Sequence, residues 1–165
     1  MKNYKLPFLG FALVLLIASC RKEDIQANNT TNNLSAVSNT AQWKSLSNWS
    51  SSKNEEITTY FSKVSDSSIT SNVVNAGFVL VFKKNGSDIQ SLPFQEKSSK
   101  TYWYYQVSGG SLRINSDNNG GQNLNAQSFA YFVISPEKLS ALEASGKAKL
   151  DLLQLSFEQA EALLK

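Results

Sequence analysis

The chain contains no histidine and a single cysteine among 165 residues. Without histidine it lacks the side chain most often used for proton transfer near neutral pH, and the commonest ligand of zinc and copper. One cysteine excludes an intramolecular disulfide. Proline and glycine are also sparse, with 3 and 8 copies, and charged residues make up only 18%. Against these shortages stand 41% apolar and 11% aromatic residues, enough for one buried core in a chain of this length. Two domains would each be too small to bury one well.

Lys2 and Lys5 precede an apolar run over residues 6–18, which ends at Ala18, Ser19 and Cys20. A basic start, a short apolar run and small residues form a secretory leader. Crossing the hydrocarbon core takes about 20 apolar residues, and this run is shorter and holds Pro7 and Gly10. Ile17-Ala18-Ser19-Cys20 resembles the lipobox of bacterial lipoproteins. The resemblance implies that residues 1–19 are a cleaved signal peptide, that Cys20 carries a diacylglycerol and a further acyl chain such as palmitate, and that the membrane is bound through this lipid. Acyl chains, at about 0.8 kcal/mol per buried methylene, hold a domain on a bilayer without a spanning segment. Arg21 rather than aspartate follows the cysteine, which by family analogy implies the outer membrane. Lys22-Glu23-Asp24 resembles the export signal of surface-displayed lipoproteins in one Gram-negative lineage.

Sixteen Lys and Arg stand against 13 Asp and Glu, and without Lys2 and Lys5 the basic groups number 14, a formal balance of +1. Beyond Lys83-Lys84 no basic cluster with interleaved aromatics is present, so no nucleic-acid partner is expected. Residues 20–42 are rich in Asn, Thr, Ser and Ala, without aromatics, and cannot offset their ordering entropy by burial. They read as a flexible tether with a reach of roughly 25 Å. The folded domain is expected over residues 43–165.

Trp43, Leu46 and Trp49 suit an extended entry, and residues 57–64, rich in Ile, Thr, Tyr and Phe, suit a strand. Residues 69–76 form a helical turn or a loop closed by Gly77, which can adopt positive φ. Residues 78–84 and 87–92 flank Asn85-Gly86, the pattern of a type I′ hairpin. Phe78 to Phe82 is apolar at every position and should be a central strand covered on both faces, and Pro93 places its partner at an edge. A second hairpin runs through residues 101–107, Gly109-Gly110 and residues 111–115, followed by an Asn/Gly-rich mobile loop over 116–125 and a strand over 128–134. Ser135-Pro136-Glu137 opens a helix that stops before Gly146, and Ser156 with Gln159 forms a capping box for a second. The expected fold is mainly β, an antiparallel sandwich or curled sheet with one or two short C-terminal helices. Gly77-Phe78-Val79-Leu80-Val81-Phe82, Leu92-Pro93-Phe94 and Phe132-Val133-Ile134-Ser135-Pro136 resemble small outer-membrane and surface lipoproteins of the same lineage; these are strand-core residues, which imply a fold and no chemistry.

Tyr102-Trp103-Tyr104-Tyr105 is the most unusual stretch. Alternation sends Tyr102 and Tyr104 to one face and Trp103 and Tyr105 to the other. An exposed pair would stack on sugars or partner side chains, whereas two covered faces would make all four core residues. Asp117-Asn118-Asn119-Gly120-Gly121 fails calcium-loop spacing, because glycine is not sixth and Ser128 stands where the bidentate acid belongs. Glu55 and Glu56 are adjacent and point apart in extended chain. No nucleophile elbow, P-loop or dinucleotide pattern occurs. No catalytic residue, metal site or cofactor is therefore expected. The expected function is a lipid-anchored, non-catalytic module binding a glycan or an envelope protein, with an accessory subunit of a surface complex, or a hydrolase working without histidine, as alternatives.

Overall fold

A computed structural model describes residues 41–117 and 123–165. The leader, Cys20, the tether as far as residue 40 and residues 118–122 of the Asn/Gly-rich stretch lie outside the described residues. In chain order the elements are β1 (Lys44–Ser45), β2 (Ser50–Asn54), β3 (Ile57–Ser65), α1 (Ser71–Ala76), β4 (Phe78–Asn85), β5 (Asp88–Ser91), β6 (Phe94–Gln95), β7 (Tyr102–Ser108), β8 (Ser111–Asp117), a 3-10 turn (Leu124–Ala126), β9 (Ser128–Ile134), α2 (Pro136–Ala144), α3 (Lys149–Leu153) and α4 (Phe157–Leu164). The fold is mainly β, as its alternating runs imply. Among the described residues the strands form two antiparallel sheets, ordered β1-β9-β4-β5 and β2-β3-β8-β7-β6.

The first sheet is the middle layer of three. Leu80, Phe82, Ala130, Phe132 and Ile134 point from β4 and β9 to Leu139, Leu142, Leu152, Phe157, Ala160 and Leu164 of the helices. The alternate residues Val79, Val81 and Phe129 pack against Trp103, Leu112 and Ile114 of the second sheet, with Ile69 and Val73 closing one end of that layer. This two-sided burial explains why β4 is apolar at consecutive positions, since a strand covered on one face would alternate. Each large aliphatic residue buried here contributes about 1.5–3 kcal/mol relative to exposure. Asp66 ties the layers together, accepting hydrogen bonds from the Ser68 amide (2.9 Å), the Ser68 hydroxyl (2.6 Å) and the Tyr131 hydroxyl on β9 (2.6 Å). Burial pushes its carboxyl up, but these donors outweigh that and hold it below the usual carboxylate value.

Several local expectations are corrected. Asn85 pairs with Asp88, so the first hairpin turns on Gly86-Ser87 rather than Asn85-Gly86. Gly86 alone takes positive φ, at 61°, and type I′ geometry, which needs it at both central residues, is not adopted. Gly77 ends α1 at φ −92°, not in the left-handed region. Its lack of a side chain matters for space, because a Cβ there would sit 2.5 Å from the Ile134 carbonyl oxygen of β9. The expected loop over 116–125 begins later, since Ser116 and Asp117 pair with Trp103 and Tyr102 as the end of β8. Three C-terminal helices are present instead of one or two: α3 lies between the two with visible caps, its only cap signal being the Ala148 amide donating to Asp151 at 2.8 Å. Ser135 and Ser156 do cap α2 and α4. No helix among the described residues is long and apolar enough to cross a membrane.

Candidate functional site

β7 divides its four aromatic residues between two environments. Trp103 is paired in register with Phe94 on β6 and Ser116 on β8, and faces the first sheet, where it is fully buried. Its ring meets Trp49 edge-on at 6.2 Å and Phe129 at 5.7 Å. Tyr105 points the same way, and its hydroxyl donates to the Val79 carbonyl of β4 at 2.6 Å. Burial pushes the Tyr105 hydroxyl up to about 12, so it stays a neutral donor joining the two sheets. Trp103 is structural and offers no face to a ligand, and Tyr105, partly buried, is tied to the inter-sheet layer by its hydroxyl.

Tyr102 and Tyr104 occupy the outer face of the second sheet. Register partners share a face in an antiparallel ladder, which aligns Tyr102 with Asp117 and Thr59, Tyr104 with Asn115 and Phe61, and Gln106 with Arg113 and Lys63. The two tyrosine rings stack at 5.5 Å with an interplanar angle of 24°, and Tyr102 remains 42% exposed. This sheet face carries no further layer from the helices or the first sheet, whose contacts are all on the inner residues.

Polar groups are fixed beside the stacked rings. The Thr59 hydroxyl donates to Asp117 Oδ1 at 2.6 Å, and the Arg113 guanidinium lies 3.7 Å over the Phe61 ring, a cation–π contact that holds the charge flat against the sheet. Burial, followed by the Asp117 charge, raises the Tyr104 hydroxyl above its usual value and keeps it protonated. Ile57, 46% exposed, extends the apolar part toward β2. The arrangement offers a flat aromatic platform bordered by a carboxylate, a guanidinium and phenol hydroxyls. It can hold a ring or side chain by stacking and hydrogen bonding, and no nucleophile–base pair is assembled on it.

The two tryptophans near the start of the domain serve opposite sides of the first sheet. Trp43 packs on Phe157 of α4 at 4.9 Å, whereas Trp49 joins the inter-sheet layer and donates from Nε1 to the Leu46 carbonyl at 2.9 Å. No group of three or more His, Cys, Asp or Glu side chains among the described residues is placed to hold a metal ion.

One polar feature was not anticipated from sequence. Lys83, at the end of β4, is 1% exposed and points into the inter-sheet layer. Its Nζ lies 3.6 Å from Glu96 Oε1 and 4.8 Å from the Trp103 ring centre. The signal was present in the spacing: Val79, Val81 and Lys83 are two apart and must share a face. The chain matches no protein-family model, no curated protein and no solved structure.

Proposed function

We propose that this protein is a lipid-anchored binding module of the outer membrane, without chemistry of its own, which holds a glycan or envelope partner on the outer face of its second sheet. The reading is carried by one observation: a stacked Tyr102–Tyr104 pair stands on a sheet face that no other layer of the described residues covers, while Trp103 of the same strand is fully buried and Tyr105 packs against the inter-sheet layer. Tyrosine is enriched where surfaces recognise partners. The leader and Ile17-Ala18-Ser19-Cys20 support the anchor, and the charge balance of the processed chain supports a partner that is neither nucleic acid nor strongly charged.

The test is a binding screen of the full chain against purified polysaccharides and solubilised envelope extract, with the double variant Tyr102→Ala/Tyr104→Ala in parallel. Loss of the stacked pair should weaken binding roughly tenfold or more, the equivalent of about 1.4 kcal/mol or above for the pair. The double variant should keep its thermal unfolding close to wild type. Equal binding by variant and wild type, or no specific partner for either, would contradict the proposal.

A further inference from the structure

Lys83 and Glu96 are among the residues that line a second recess, whose lining reaches Gln95, the register partner of Tyr102, but includes neither tyrosine of the platform. A cavity of about 310 Å³ opens between the stem of the β4–β5 hairpin, which supplies Lys83, Asn85 and Gln90, and β6 with the turn after it, which supplies Phe94 and Glu96. That size lies at the small end of ligand pockets, about 300–1,000 Å³.

The polar groups in it are fixed in place. Glu96 Oε1 accepts from Asn85 Nδ2 at 2.8 Å, and Glu96 Oε2 accepts from the Ser99 hydroxyl at 2.7 Å. Gln90 Nε2 donates to Asp88 Oδ2 at 2.7 Å. The Lys83 ammonium, by contrast, is fully buried yet has no hydrogen-bond partner among the described residues, since Glu96 at 3.6 Å is beyond hydrogen-bond length. An ammonium has three donors, and leaving them unused in a buried position is costly. The Trp103 indole N–H, also facing this layer, has no partner among the described residues either.

The charges decide what the recess would accept. Lys83 and Lys97 are balanced by Asp88 and Glu96, so the lining is neutral overall. A phosphate or carboxylate ligand would satisfy Lys83 while facing two carboxylates. A zwitterion would have to separate Lys83 from Glu96, which already neutralise one another. A ring of hydroxyl groups meets neither obstacle: each hydroxyl both donates and accepts, so it can serve the ammonium, the carboxylates and the amides without burying net charge. The Phe94 ring on the wall matches the C–H face of such a ring.

We propose that this recess binds one neutral pyranose unit of a glycan, with Lys83 donating to ring hydroxyls, Glu96, Asn85 and Gln90 orienting them, and Phe94 covering the apolar face. The proposal rests on the reading of the chain as a binding module and names a ligand class for a second contact that does not involve Tyr102 or Tyr104.

The test is a titration of the isotopically labelled full chain, followed through the side-chain amide signals of Asn85 and Gln90 and the Trp103 indole N–H. The probes are the methyl glycosides of glucose, galactose and mannose, with acetate, inorganic phosphate and glycine as charged comparators. At least one glycoside should shift these signals saturably, and the charged probes should not. Gln90 is exposed, so Gln90→Ala keeps the fold; it should weaken the glycoside by about three- to tenfold, the equivalent of one neutral hydrogen bond, while Lys147→Ala, exposed and outside the recess lining, leaves it unchanged. The assignment is overturned if no glycoside shifts the signals, if only a charged probe does, or if Gln90→Ala binds as wild type. Glycoside binding lost in Tyr102→Ala and retained in Gln90→Ala would also overturn it while leaving the tyrosine platform as the binding surface.

Discussion

Glu96→Ala is expected to lower the stability of the domain by about 3–5 kcal/mol at neutral pH, read as a fall in the denaturant midpoint. Glu96 is the only carboxylate within ion-pair distance of Lys83 among the described residues, and Lys83 is completely buried. Removing it strands a cation in a low-dielectric layer and deprives Asn85 and Ser99 of their acceptor. The double replacement Lys83→Met with Glu96→Leu removes both charges and should recover much of the loss, since a buried pair is often replaced by apolar residues at little cost.

The pH dependence of this effect has a definite sign. Desolvation lowers the Lys83 pKa from its ordinary 10.5, against the opposing attraction of Glu96. A lysine whose folded pKa is depressed binds fewer protons when folded than when unfolded. Stability therefore rises as pH increases from the folded value toward 10.5. Glu96→Ala removes the attraction, pushes Lys83 lower still and widens that window, so the variant's deficit should shrink as the solution is made alkaline. The measurement belongs below pH 10. Above the ordinary tyrosine value of 10.0, the raised hydroxyl of Tyr105 makes stability fall again as the unfolded chain ionises first. A deficit that is constant from neutral pH to 10 would contradict the buried ammonium.

Trp103→Ala should cost about 3–5 kcal/mol, whereas Tyr102→Ala, one residue away on the same strand, should stay within about 0.5 kcal/mol. The contrast follows from which way each side chain points. Trp103 is fully buried among Trp49, Phe129 and the Lys83 ammonium, and its removal opens a cavity between two sheets that cannot easily collapse. Tyr102 loses one stacking partner on an open face. Equilibrium unfolding of the two variants side by side measures this directly. Comparable losses would mean that the two faces of β7 are not divided as described.

The elements that could be read from sequence are those in which local chemistry and tertiary role agree. The unbroken apolar run from Phe78 to Phe82 requires two covered faces and has them. The caps at Ser135 and Ser156 need only a hydroxyl and the next turn of backbone. β2, reading Ser-Ser-Ser-Lys-Asn and exposed throughout, has no apolar alternation to reveal it; it exists because β3 supplies a ladder on which its backbone pairs. α3 is equally silent, a five-residue helix that buries only Leu152. In the candidate site, period two was enough to separate Tyr102 and Tyr104 from Trp103 and Tyr105. It could not say which pair faces solvent, because that depends on where the other sheet lies. The Lys83–Glu96 pair was hidden for a related reason: two charged residues, one on β4 of the first sheet and one just after β6 of the second, look like ordinary surface until the packing of the two sheets buries them together.

The claim on which location and role depend concerns Cys20. Mass spectrometry of the N-terminal peptide from protein extracted from native membranes should find the chain beginning at Cys20, with a diacylglycerol on Sγ and an added acyl chain, and Cys20→Ala should be neither processed nor acyl-labelled. A free thiol at Cys20, or a leader still attached, would contradict the anchor and remove the ground for placing the tyrosine platform at the outer membrane.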